Sequence, residues 1–109
     1  MTSTFEIVAE PTRRRILDDM RDSERSVGEL VERLRLSQPG VSKHLRVLRE
    51  GGFVEVRQDA QRRFYALRPA PLAEVDAWLA PYRRLWAGRL DALERHLDAT
   101  ADHDGKEQA

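Results

Sequence analysis

The sequence predicts a mainly α-helical fold with one small β-hairpin, in the order α-α-α-α-β-β-α. Three observations carry this. Apolar residues recur at helical spacing up to residue 50, in segments separated by cap-type residues. Two short runs, 53–58 and 62–67, alternate instead. After Pro71 one long apolar stripe fills most of the remaining chain.

The first helical segment is short and apolar, Phe5 to Ala9, with Phe5, Ile7 and Val8. Glu10 precedes Pro11, whose preset φ suits a first helical position. A second helix follows to Met20, with Ile16, Leu17 and Met20 facing inward. Residues 22–25 read as a polar connection. Ser26 and Glu29 form a capping-box pattern, in which each side chain bonds the other's free backbone N–H. Leu30, Val31 and Leu34 supply the inner face of a short third helix ending near Arg35. Ser37 is a second cap, and Pro39 suits the first turn of a helix from Gln38 to Glu50. Val41, Leu45 and Leu48 face inward on it at i, i+4 and i+7. Gly51 and Gly52 end it.

The alternating runs then predict a hairpin over 53–67, with Asp59 to Gln61 as the turn and Pro69 and Pro71 as its end. The last helix carries Leu72, Val75, Trp78, Leu79, Tyr82, Leu85, Trp86, Leu90, Leu93 and Leu97 in register. Pro81 interrupts its hydrogen bonding while the stripe continues in phase, so a kink or short break is expected there. One domain spans residues 1–99, and residues 100–109 form a polar, frayed tail.

Composition narrows the function. With 109 residues the chain buries one modest core. It has no cysteine, which removes disulfides, thiolate metal sites and cysteine nucleophiles. No apolar run approaches the roughly 20 residues of a membrane helix. The N-terminal stretch has an acidic residue where a secretion signal needs an apolar one, so the expected location is the cytoplasm. Net charge is zero, but residues 33–68 hold nine basic and three acidic residues. The segments on either side each hold five basic and eight acidic ones. A basic block between acidic flanks is what a local phosphate-neutralising patch requires.

The pattern of two helices, a tight turn, a third helix and a hairpin is that of a winged helix-turn-helix. A recognition helix must bury one face and offer a polar face to a DNA groove. Helix 38–50 satisfies both demands. With Val41, Leu45 and Leu48 inward, Ser42, Lys43 and Arg46 lie opposite, and Gln38 sits at the entering end. Nothing acidic occurs on it before Glu50. His44 falls beside the apolar face, where phosphate donation and plain packing both stay open. Arg57, Arg62 and Arg63 flank the hairpin turn, where a wing meets the sugar-phosphate backbone or the minor groove; protection of an edge strand by charge is the alternative. Arg13, Arg14 and Arg15 suit either phosphate contact or ion pairs with Asp18, Asp19 and neighbouring acids.

The runs EPTRRRIL (10–17), SVGELVERLRLSQPGVSKHLRVLREGGFVEV (26–56) and RRFYALRPAPLAEVDAWLAPYRRLW (62–86) resemble the ArsR/SmtB family of bacterial repressors. The resemblance covers roughly Phe5 to Asp98. It implies a homodimer that binds double-stranded operator DNA, with the fourth helix in the major groove. On the matching positions Gln38, Ser42 and Lys43 would read bases, supported by Ser37, His44 and Arg46. It further implies a dimer interface from the first and last helices, which here would involve Phe5, Val8, Trp78, Tyr82, Leu85, Trp86, Leu90 and Leu93.

Some positions depart from the family pattern. A cysteine metal cluster is impossible here. For a set of metal ligands on the last helix the chain offers only His96 and His103, with Asp98 and Asp102 between them. No metal or other cofactor is therefore expected, and any small-molecule effector stays unidentified. Glu10 stands where relatives carry Asp, and the wing turn lacks a glycine. No catalytic constellation stands out, so an enzyme is not expected. A protein-binding winged helix without DNA function is the remaining alternative. The polar surface of Gln38, Ser42, Lys43 and Arg46 argues against it, because protein interfaces favour aromatic and aliphatic cores.

Overall fold

Each of the first four helices begins on a side-chain cap. The computed structural model describes residues 2–108, with side chains through Thr100. The helices are α1 (Thr4–Ala9), α2 (Pro11–Asp19), α3 (Val27–Leu34) and α4 (Gln38–Glu50). Their caps are Ser3, Glu10, Ser26 and Ser37. These accept from the N–H groups of Glu6, Arg13, Glu29 and Gly40 at 2.8–3.2 Å. Each bond satisfies a donor that the helix leaves orphaned. The box at Ser26 is complete, since Glu29 Oε1 also accepts from the Ser26 N–H at 3.1 Å. Glu10 caps α2 despite its extra methylene.

The sheet has three strands, one more than the alternation indicated. Strand β1 (Arg25–Ser26) lies where a plain polar connection was expected. It pairs antiparallel with β3 (Arg62–Leu67), which pairs in turn with β2 (Val54–Asp59). Two residues are too few to show a period, and the pairing comes from β3. Strand β2 also starts one residue late and runs through Asp59, which sits opposite Arg62. The turn is thus Ala60–Gln61 alone. Ala60 has φ 55°, while Gln61 is not among the residues with positive φ. That is the φ pattern of a II′ hairpin turn, which normally places glycine first. Phe53 belongs to the core instead of the strand. Its N–H donates to the Leu48 carbonyl at 2.9 Å, and its own carbonyl accepts from Arg68 N–H at 2.7 Å.

The chain divides into two units at Val75. The first holds the core: Ile7, Ile16, Leu17, Met20, Leu30, Val41, Leu45, Leu48, Phe53, Val54 and Tyr65 are buried. Helix α4 supplies three of these from the stripe that the sequence indicated. Its end comes so close to α1 that a Cβ on Gly51 would collide with Ile7 Cδ1. Between α3 and α4 the turn is made by Arg35 in the left-handed region (φ 56°, ψ 48°), and the Leu36 N–H closes back on the Val31 carbonyl at 3.1 Å.

The second unit consists of most of α5 (Leu72–Gln108). No break occurs at Pro81: the helix continues through it. Proline removes its own N–H from the ladder and crowds the carbonyl four residues before it, here that of Ala77. Across it, Arg83 donates to the Asp76 carbonyl at 3.2 Å and pairs with the Asp76 carboxylate at 2.7 Å. Trp78, Tyr82, Leu85, Trp86, Leu90, Leu93 and Leu97 are all exposed on α5, from 44% to 63%. The side chains of the expected tail, 101–109, lie outside the described residues, and so does the His103 side chain. Among the described residues no helix is long and apolar enough to cross a membrane.

Candidate nucleic-acid interface

Burial of Val41, Leu45 and Leu48 fixes which way α4 faces. Ser42, Lys43, Arg46 and Arg49 are consequently exposed, and so is Gln38 at the helix's first position. Ser42, Arg46 and Arg49 recur at i, i+4 and i+7, one stripe of the helix. Ser37 lies at the N-terminal end with its hydroxyl engaged as the cap. His44 is half-buried rather than exposed. Its Nε2 is 3.9 Å from Glu10 Oε2, and its buried Nδ1 has no hydrogen-bond partner. Partial burial pushes the Glu10 carboxyl up, but the Arg13 and Thr12 N–H groups and the charges of His44 and Arg13 outweigh this and leave it lowered.

The three wing arginines separate onto two faces of the hairpin. Arg57 stands opposite Phe64 in the register, and side chains alternate along β3. The guanidiniums of Arg57 and Arg62 both lie over the Phe64 ring, 4.9 and 5.0 Å from its centroid. Arg57 also grips Glu24: Nε donates to Oε2 at 3.2 Å, and Nη2 pairs with Oε1. This hydrogen bond holds the Glu24 carboxyl below its ordinary pKa and raises that of Arg57. Arg62 reaches Ser26 Oγ at 3.4 Å. Arg63 turns to the other face with Tyr65, toward a cleft that it shares with Ser42, Arg46 and Arg49.

The arginines of α2 do something the sequence did not reveal. Arg13 donates to the carbonyls of Ile7 and Glu6, and Arg14 to those of Val8 and Ala9. Arg15 donates to Leu34 at 2.9 Å. Neither expected ion pair forms with Asp18 or Asp19; the guanidiniums close the carbonyl ends of α1 and α3 instead. Asp19 pairs with Arg33 and Arg25, at 2.9 and 3.5 Å.

The basic residues of the first unit fall into two groups, those with partners and those without. Among the described residues of the first unit, the Arg and Lys side chains with no hydrogen bond, ion pair or ring contact are Arg35, Lys43, Arg46, Arg49 and Arg63. All lie between the α3–α4 turn and the wing. Arg49 escaped the sequence reading, although its i+7 spacing from Ser42 was the available signal. No group of three or more His, Cys, Asp or Glu that could hold a metal ion occurs among the described residues.

Comparison with known proteins agrees with this geometry. Residues 8–57 match a helix-turn-helix domain. The chain is 43% identical over 79 residues to the transcriptional activator HlyU of Vibrio cholerae, spanning 72% of this chain and 70% of that protein. It is 34% identical over 98 residues to the HTH-type transcriptional regulator Rv2034 of Mycobacterium tuberculosis, spanning 90% and 89%. A crystal structure of an ArsR family transcriptional regulator superposes with a TM-score of 0.65 at 30% identity, covering 77% of this chain and 87% of that one. With its winged helix-turn-helix, its exposed polar α4 and these relatives, the chain belongs to the ArsR/SmtB family of DNA-binding transcriptional regulators.

Proposed function

We propose that the chain is a homodimeric repressor that covers an imperfect palindromic operator in the cytoplasm. The observation that carries this is the concentration of unpaired cations on α4 and the wing, beside exposed Gln38 and Ser42. Gln38, Ser42 and Lys43 read base edges in the major groove, where Gln suits adenine and Lys suits guanine. Ser37, His44 and Arg46 support them. Arg57, Arg62 and Arg63 hold the backbone. The half-site centres lie roughly 10 bp apart, because that spacing presents both major grooves on one side of the duplex.

Dimerisation uses Phe5 and Val8 of α1 with Trp78, Tyr82, Leu85, Trp86, Leu90 and Leu93 of α5. Burial of such a stripe is worth about 25 cal/mol per Å2 of apolar area. The domain spans 1–99, and 100–109 is an appended tail. No catalytic step is assigned, and regulation does not depend on a transition metal.

Selection of duplexes from a random pool by the purified protein tests the reading. Palindromic winners support it. Recovery of nothing above background would sink it in favour of a protein-binding winged helix. Sedimentation at micromolar concentration should give twice the 12.6 kDa chain mass. A monomer there removes the dimer. Deleting the gene should raise expression from the selected promoter; a fall makes the protein an activator.

A further inference from the structure

Three unpaired guanidiniums meet in one place. Arg46 and Arg49 come from α4, and Arg63 from β3, across a cleft of about 360 Å3. The Ser42 hydroxyl lines the same cleft, and Leu45, Tyr65 and Val27 form its apolar lining. None of the three arginines has a carboxylate partner among the described residues. Elsewhere in this unit most guanidiniums have a partner, a carboxylate at Arg33–Asp19 and Arg57–Glu24 or helix-end carbonyls at Arg13, Arg14 and Arg15. Here the fold brings like charges together from two elements and leaves them without one. Such a cluster repels itself until an anion enters.

We propose that this cleft is a seat for one phosphate group, gripped jointly by Arg46, Arg49 and Arg63. The planar guanidinium fork matches the oxygens of a phosphate bidentately. A tetrahedral group offers oxygens in several directions, so it can serve donors from α4 and β3 at once. The apolar lining limits water on one side and suits the sugar carbons that flank a backbone phosphodiester. An occupied seat therefore ties the recognition helix to the wing through the anion. The phosphate can belong to a bound duplex or be free in solution. Assigning it to a duplex rests on the DNA-binding reading above, but the seat itself does not.

Two arms test this on the full chain. In the first, 15N-labelled protein is titrated with sodium phosphate, against sodium chloride at matched ionic strength. Phosphate should shift the resonances of Ser42, Arg46, Arg49 and Arg63 saturably. Arg49→Gln and Arg63→Gln should each abolish the response, and Arg84→Gln, which lies in the other unit, should not. In the second, affinity for a selected duplex is measured across salt concentrations. Each cleft variant should lower the log–log salt slope by about one, the amount expected for one phosphate. The double variant should also lower it by about one, because both arginines hold the same phosphate. A drop of about two in the double variant would mean two separate contacts and overturns the shared seat. Silence in both arms overturns it as well. Phosphate shifts with unchanged slopes keep the seat and give it to the free anion. Slope loss without a phosphate response gives it to the duplex alone. If no duplex binds at all, the DNA reading falls, and the first arm still decides the seat. Thermal melts check that each variant is folded, with Arg63→Lys, which keeps the charge and loses the fork, as the fallback.

Discussion

Arg14 on α2 donates to the Val8 and Ala9 carbonyls at 2.7 and 3.1 Å, whereas Arg46 on α4 donates to nothing among the described residues. Both are exposed arginines, each on a helix that packs its other face into one core. They differ in what the neighbouring backbone leaves open. The carbonyls at the end of α1 need donors, since α1 stops at a proline. Helix α4 ends in Gly51, whose N–H closes on the Val47 carbonyl at 3.0 Å, so its own backbone is satisfied without arginines. A basic residue beside an unfinished helix end becomes part of the fold. One beside a finished helix stays available to a ligand. The charge of a segment therefore overstates its patch, and the cations without partners are the better guide.

Substitutions in the two groups should separate binding from stability. The largest effect is expected at Gln38. Gln38→Ala should weaken binding to the best operator by about 1–3 kcal/mol and relax preference at one base position. Its unfolding free energy should stay within about 0.5 kcal/mol of the parent, because an exposed side chain away from the core is lost. Fluorescence anisotropy and urea denaturation measure the two quantities. A large stability loss with unchanged base preference would place Gln38 in the fold.

Arg14→Ala should behave the opposite way. It strips donors from two exposed carbonyls, and water replaces part of what is lost. Stability should fall by about 1 kcal/mol, the size of an ordinary net hydrogen bond. Operator affinity of the folded fraction should not change. If affinity drops severalfold while the urea midpoint stays put, Arg14 contacts phosphate and the division between the two groups fails.

Much of this was legible in the sequence, for a physical reason. Helix starts are written in single residues, so Ser26, Ser37 and the prolines after Glu10 and Gln38 located α2, α3 and α4 closely. The buried face of α4 followed from spacing alone, and with it the exposure of Gln38, Ser42, Lys43 and Arg46. Strand β1 was not legible, because two residues show no period and their pairing is decided by β3. The division of Arg57 from Arg63 was not legible either. It depends on the register of the hairpin, which the turn Ala60–Gln61 sets by shortening to two residues. Long-range donors such as Arg15 to Leu34 leave no trace in local pattern at all.

Acid should act on the paired group and spare the other. Four carboxyls lie below their ordinary pKa values of 4.5 and 3.8. Asp19 is held down by the Arg33 hydrogen bond, Glu24 by Arg57, and Glu29 by the Ser26 N–H. Glu10 is raised by burial and lowered further by N–H groups. A depressed folded pKa means that the folded state binds fewer protons than the unfolded one. The stability it confers is complete above the unfolded value and is lost as pH falls through the folded value. The urea midpoint should therefore decline below about pH 4.5, and Arg33→Gln should flatten part of that decline. A midpoint that stays level down to pH 3 would show that these pairs contribute nothing.

The smallest effect should come from Ala60, and it separates backbone from charge at the wing tip. Ala60 holds φ 55° at the first central position of the hairpin turn. A side chain there crowds the following carbonyl, at a cost of roughly 1–2 kcal/mol. Glycine removes that cost but adds freedom to the unfolded chain, worth about 0.4–1 kcal/mol in the other direction. Ala60→Gly should therefore stabilise the fold by roughly 0.8 kcal/mol, the difference between the midpoints of those two estimates. The strand register stays fixed by six cross-strand pairs from Val54–Leu67 to Asp59–Arg62, so Arg62 and Arg63 keep their opposite faces. Operator affinity and salt slope should consequently remain those of the parent. The urea midpoint and a salt titration read both halves together. Destabilisation by glycine would show that the positive φ carries no strain. A changed salt slope at unchanged stability would show that the turn positions the wing arginines, which makes Ala60 part of the DNA-facing group.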